Sequence, residues 1–270
     1  MITLKSPREI ETMRRSGKIT AKVLTDLMKT ARAGMTTKQI DEIAEQGIRE
    51  LGGTPTFKGY HGFPATICAS VNDEVVHGIP GPYVLRDGDL LSIDIGTTLD
   101  GYVSDSAVTI PIANISQQAQ RLLEVTRECL MIGIAQMQRG NRLGDISSAV
   151  QRHAEGHGYG VVRELAGHGV GTAMHEEPQV PNYGKAGTGM ELRAGLVLAI
   201  EPMITQGGRA VEILKDGWTV VTADGKLAAH FEHTIAVTED GPKILTLRTF
   251  GEHPDAAKYV PDAERTGAHT

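Results

Sequence analysis

Apolar positions recur along this chain with two periods, and each change of period marks a new element. Ser6-Pro7-Arg8-Glu9 reads as a helix start. Serine caps, proline suits the first helical position, and glutamate three residues after the serine closes a capping box. Ile10, Met13, Leu24, Leu27 and Met28 then form an apolar stripe to about residue 30. A second helix is predicted from Thr36 or Thr37 through Ile40, Ile43, Ala44, Ile48 and Leu51, stopping at Gly52-Gly53. Residues 53–85 are punctuated by glycine and proline and read as short strands. An apolar strand around Asp94 follows, and a turn leads into another strand within 99–112 that holds Asp105. Ser116 is placed to cap a long helix ending near Gly140, and a shorter helix runs from about Asp145 to Gly156 or Gly158. Strand-like runs then occupy 160–167, 196–204, 209–213, 217–223 and 229–238, and the polar stretch 251–270 reads as a loosely attached tail.

The second half repeats the first. LRDGDLLSID (85–94) aligns with LRAGLVLAIE (192–201), which sets Asp94 on Glu201. Upstream, 32–52 aligns with 138–158, pairing Gly34 with Gly140 and Gly52 with Gly158. His77-Gly78-Ile79 has a counterpart in His168-Gly169-Val170, and Asp105-Ser106-Ala107-Val108 in Glu232-His233-Thr234-Ile235. Four matches in one order point to an internal duplication. The expected fold is α+β: a duplicated, pseudo-twofold arrangement with an antiparallel sheet core flanked by two pairs of helices. It is read as one domain over 1–250, with half-repeats of about 5–112 and 113–248.

The duplication maps acid onto acid twice. Asp94 alone, inside an apolar strand, fits a structural role equally well, with arginine or backbone amides satisfying it. If the halves meet face to face, however, Asp94, Asp105, Glu201 and Glu232 converge, and close carboxylates drive one another toward protonation. Divalent cations relieve that repulsion, and four or five carboxylate and imidazole ligands suit two ions with bridging carboxylates. Glycine-rich ELAGHGVGTAMHEEP (164–178) offers His168 and His175, one for a metal and the other for substrate. His77 stands out after its apolar run. His61, His153, His157, His230 and His233 read as turn or surface residues, Glu176 and Glu177 as loop decoration, and Cys129 as core.

Composition narrows the setting. Hydrophobic content of 40%, charged content of 22% and a net charge of −6 over 270 residues describe an ordinary globular chain without a basic nucleic-acid face. No apolar run approaches the roughly 20 residues that cross a bilayer, and the N-terminus has no export-type apolar segment. Two cysteines, Cys68 and Cys129, fit a reduced cytoplasm.

GYHGFPATICASVNDEVVHGIP (59–80), LLSIDIGTTLDGYVSDSAVT (90–109), AGHGVGTAMHEEPQVPNYG (166–184), LAIEPMI (198–204) and FEHTIAVT (231–238) together resemble the type I methionine aminopeptidases, of the "pita-bread" fold, from about 3 to 248. The resemblance implies two divalent ions (Co, Mn, Fe or Zn). Asp94 would chelate one, Asp105 and Glu232 would bridge both, and His168 with Glu201 would complete the second. It implies a metal-bridged hydroxide attacking the first peptide bond of a methionyl chain whose second residue is small. Glu201 would accept a proton, His175 would stabilise the oxyanion, and His77 would assist the leaving nitrogen. Phe57, Tyr60, Phe63, Cys68, His77, Met174, His175 and Trp218 would bind substrate. Phe57, Phe63 and Met174 stand where the family often has cysteine, tyrosine and phenylalanine. The implied partners are N-termini of nascent chains near the ribosome, with the protein acting as a cytoplasmic monomer without membrane or nucleic-acid contacts. The proline-specific relatives resemble a longer architecture with an extra N-terminal domain.

Overall fold

The computed structural model describes residues 2–259, and each half of it opens with a pair of helices. In α1 (Pro7–Thr30), Glu9 N–H donates to Ser6 Oγ at 3.4 Å and Ser6 N–H donates back to Glu9 Oε2 at 2.7 Å. Thr36 and Gln39 make the same reciprocal box before α2 (Thr37–Glu50). Ser116 caps α3 (Gln117–Ala135), accepting from Ala119 N–H at 3.1 Å. That helix stops before the expected Gly140, because Gly140 belongs to the connection and donates its N–H to Leu192 O at 3.0 Å. α4 (Leu143–Gly156) begins before Asp145. That aspartate acts from the third position, accepting from Arg142 N–H at 2.7 Å.

The first half carries β1 (Thr54–Pro55), β2 (Ile67–Val71), β3 (Glu74–Val76), β4 (Leu90–Leu99) and β5 (Tyr102–Pro111). The second carries β6 (Gly160–Val161), β7 (Ala166–Gly169), β8 (Glu176–Pro181), β9 (Val197–Ile200) and β10 (Met203–Thr205). It continues through β11 (Val211–Ile213), β12 (Val220–Thr222), β13 (Ala228–His230), β14 (His233–Thr238) and β15 (Gly241–Ile244). β4 pairs antiparallel with β1, β2 and β5, and a second antiparallel sheet runs β15-β14-β9-β7-β8. Short strands form two more ladders, β13-β10-β6 and β11-β12-β3. The long runs expected at 196–204 and 229–238 each break into two strands. Pro202 has no N–H to continue the first ladder, and the breaks leave Glu201 and Glu232 at strand ends. The run at 160–167 splits likewise into β6 and β7.

Backbone details repeat between the halves. Gly34 N–H donates to Leu85 O at 2.8 Å as Gly140 does to Leu192. Their φ angles are +91° and +90°, and those of Gly52 and Gly158 are +82° and +81°. The halves join where β5 meets β14. Glu232 N–H donates to Ala107 O at 2.9 Å. Asp105 N–H donates to Thr234 Oγ1 at 2.9 Å, and that hydroxyl donates back to Asp105 O at 2.8 Å. Leu24, Leu27, Ile40, Ile48, Ile93, Ile95, Leu122, Ile146 and Leu198 form part of one apolar core spanning both halves. Each fully buried side chain of this kind contributes about 1.5–3 kcal/mol. The architecture is the duplicated pita-bread fold: an antiparallel core flanked by α1–α2 and α3–α4.

The segment read as a loose tail is anchored where it is described. Ala256 is 1% exposed, and Glu252 pairs with buried Arg248, Nε to Oε1 at 2.9 Å. Residues 260–270 lie outside the described part. Glu176 sits at the start of β8 instead of decorating a loop, ion-paired to buried Lys5.

Candidate metal centre and active site

Strand alternation gathers the acids. Ile93 and Ile95 face the core with no exposure, so Asp94 between them points to the opposite face. Asp94 lies across from Cys68 on β2 and Ala107 on β5, and Asp105 lies across from Gly96, two residues along β4 from Asp94. The two aspartates therefore share one face on neighbouring strands. In the other half, His168 on β7 pairs with Ala199 on β9, two residues before Glu201. β7 is bare enough to sit between β8 and β9: a Cβ on Gly167 would stand 2.4 Å from Ala199 O, and one on Gly169 2.4 Å from Glu177 O.

The five groups line one cavity. His168 Nε2 is 3.8 Å from Asp105 Oδ2 and 3.6 Å from Glu201 Oε1. Ligand atoms of Asp105, His168 and Glu232 all lie within 4.8 Å of one another. His168 shares a hydrogen bond of 2.9 Å between Nδ1 and Gly169 O. Because a carbonyl only accepts, the proton sits on Nδ1 and Nε2 presents its lone pair, as in metal-binding histidines. Asp94 Oδ1, Asp105 Oδ1 and Glu232 Oε1 are buried without a hydrogen-bond partner. Orphaned acceptors that converge beside a lone-pair imidazole are the donor set hard and borderline divalent ions take. The residues present fit such a group.

Electrostatics agree with the geometry. Burial pushes Asp94 up to about 7. Asp105, Glu201 and Glu232 are raised well above the usual carboxylate range, by burial first and then by repulsion from one another. Burial lowers His168 and His77 to about 4 each, so both imidazoles are neutral near pH 7.

The rest of the cavity is largely apolar and aromatic. Phe57, Tyr60, Phe63, Cys68, His77, Met174, His175 and Trp218 line it, so the structure gathers every residue the sequence singled out for the site. Gly96 leaves space for Phe57, whose Cε1 would stand 2.5 Å from a Cβ there. Phe63 and Trp218 meet edge to face at 5.1 Å. Trp218 is held by a turn in which its N–H donates to Asp216 Oδ1 at 2.8 Å. Burial raises the Cys68 thiol, keeping it protonated. Tyr60 Oη is 2.8 Å from His175 Nδ1, and the His175 ring lies 4.3 Å from that of His168. His77 follows β3 with φ of +60°, a left-handed conformation uncommon outside glycine.

His61 is exposed in the turn Tyr60–Gly62, as read, and also lines the cavity. Two other histidines depart from their reading as turn or surface residues. His230 is 2% exposed, with Nε2 3.7 Å from Glu201 Oε2. His233 has no exposure, with its Nδ1 2.9 Å from Thr246 Oγ1. Arg248, which the sequence reading passed over, is buried and donates to Ser106 Oγ at 2.9 Å, beside Asp105. The one signal for His230 is its place two residues before Glu232, within the run expected as one strand. His153 and His157 stay at the surface of α4, His153 against Glu128 at 2.8 Å.

The profile of metallopeptidase family M24 matches residues 11–239. Methionine aminopeptidase 1 of Bacillus subtilis is 53% identical over 246 residues, covering 91% of this chain and 99% of that protein. A methionine aminopeptidase of Clostridium perfringens is 51% identical over 247 residues, covering 92% and 99%. The crystal structure of a methionine aminopeptidase from Thermotoga maritima superposes with a TM-score of 0.90 at 44% identity, covering 91% and 99%. The prolidase from Pyrococcus furiosus, at 22% identity and a TM-score of 0.75 over 90% and 65%, shares the fold alone. With its acids converging as they do, and its sequence matched nearly end to end, this chain belongs to metallopeptidase family M24, on the methionine aminopeptidase branch.

Proposed function

We propose that this chain removes the N-terminal methionine from nascent proteins and peptides whose second residue is small. The observation that carries the reading is the cavity itself, where apolar and aromatic side chains share the lining with four carboxylates and His168 from both halves. Asp94, Asp105, His168, Glu201 and Glu232 would hold two divalent ions; Mn, Fe, Co and Zn all suit these ligands. The ions would supply Lewis acidity and a water acidic enough to attack near neutral pH.

This chain's own residues would do the rest. Glu201 accepts the proton of the attacking water. His175 donates to the developing oxyanion; Tyr60 fixes its tautomer by donating its hydroxyl proton to Nδ1, which leaves the proton of His175 on Nε2. His77 hydrogen-bonds the scissile amide and helps the leaving nitrogen gain its proton. Phe57, Tyr60, Phe63, Cys68, Met174 and Trp218 surround the methionine side chain, whose flexible thioether suits aromatic walls. The substrate's free amine would sit beside the carboxylates, which would restrict cleavage to the first residue.

The setting that fits is the cytoplasm, with emerging N-termini near the ribosome as partners and the protein acting as a monomer. No helix among the described residues is long and apolar enough to cross a membrane. Turnover of Met-X peptides with X varied tests the proposal. Cleavage is expected for X of Gly, Ala or Ser and little for large X, with no cleavage of Xaa-Pro peptides. Cleavage of only the proline bond would overturn it.

A further inference from the structure

His230 ends β13, and its ring neighbours the Glu201 carboxylate. The residue is 2% exposed, and neither Nδ1 nor Nε2 has a hydrogen-bond partner. Its backbone is fixed: the N–H donates to Thr109 Oγ1 at 2.8 Å, and the carbonyl accepts from the same hydroxyl at 2.9 Å. A buried polar atom left unpaired is costly, so an imidazole orphaned at both nitrogens needs an account.

Glu201 supplies one. His230 Nε2 faces Glu201 Oε2 at 3.7 Å, while Oε1 of the same carboxylate faces His168 Nε2 at 3.6 Å. Asn182 Nδ2 donates to the backbone carbonyl of Glu201 at 2.9 Å. Glu201 is thus held at its backbone and flanked at each oxygen by an imidazole. The two imidazoles differ. His168 has committed its N–H to Gly169 O and presents a lone pair. His230 has nothing on Nδ1, so its proton is free to sit on Nε2, toward the carboxylate.

We propose that His230 is a positioning residue for Glu201. As the neutral Nε2–H tautomer it donates to Oε2 and turns Oε1 toward the metal side of the cavity. Closing the present gap to a normal N–H···O distance takes a shift of about 0.7 Å. The two oxygens of Glu201 become unequal, one reserved for the cation and the other bonded to protein. This inference rests on Glu201 being a metal ligand.

Long-range ¹H–¹⁵N spectra of the zinc-loaded protein, labelled at histidine, report the tautomers directly, with the His230 signals assigned by their loss in His230→Gln. The expected result is Nε2–H at His230 and Nδ1–H at His168; Nδ1–H at His230 overturns the proposal. Zinc titration of metal-stripped variants gives a second readout. His230→Leu is expected to lose ten- to a hundredfold in zinc affinity with peptide KM within about threefold, whereas His230→Gln, which keeps a donor, stays within about threefold of wild type. Equal affinities for both variants, at matched thermal midpoints, overturn the proposal. A Glu201→Ala protein with undiminished zinc affinity would instead overturn the ligand reading itself, so the two failures are told apart.

Discussion

Burial drives every carboxylate of the site toward its protonated form, and this fixes how the protein answers to pH. Asp94, pushed up to about 7, binds its proton more tightly folded than unfolded. The stability from that proton is full below the ordinary aspartate value near 4 and lost as pH rises through about 7. Cations displace such protons, so the metal-induced rise in thermal midpoint should be small near pH 5 and large near pH 8. Equal rises at both would contradict this. His175 is the second test at this scale. Replacement by alanine should lower kcat on the order of 10²- to 10³-fold, and Tyr60→Phe should lower it less, with KM little changed in steady-state assays of both. Asp94 and Glu201 were legible in the sequence because the repeat set one acid on the other inside matching apolar runs. His230 and Arg248 were not, since nothing local distinguishes a histidine or arginine that tertiary packing buries.

Among the elements, helix starts were readable wherever a side chain caps its own backbone, as Ser6, Thr36 and Ser116 do. The end of α3 and the break before β14 were not, because Gly140 and Glu232 take their conformation from partners more than 40 residues away. The expected continuous strands at 196–204 and 229–238 hid the feature that matters, which is that Glu201 and Glu232 stand at interruptions. β7 gives the sharpest test of packing. A Cβ at Gly169 would stand 2.4 Å from Glu177 O, so Gly169→Ala must shift backbone. It should cost about 1–3 kcal/mol, read from denaturant unfolding. An unchanged midpoint would show that β8 yields freely.

At the scale of the molecule, the two halves form one frame that the C-terminal segment completes. Glu252 neutralises Arg248, which reaches Ser106, whose hydroxyl donates to Glu232 O at 2.8 Å. His233 Nε2 lies 3.2 Å from Glu252 Oε2. Glu252→Gln removes the charge opposite a buried arginine, and a loss of about 2 kcal/mol in unfolding free energy is expected. The polar composition of 251–270 concealed this contact, because one buried ion pair leaves no periodic trace. The duplication itself was readable at this scale, since register, glycines and acids all repeat. Its consequence is that two half-sites fuse into one cation-dependent peptidase centre. The most direct measurement strips the protein of metal with a chelator and follows methionine release from a Met-Gly peptide as Mn²⁺ or Co²⁺ is titrated back. No turnover is expected in the stripped protein and full recovery on titration; undiminished turnover by the metal-free protein would contradict a cation-dependent centre.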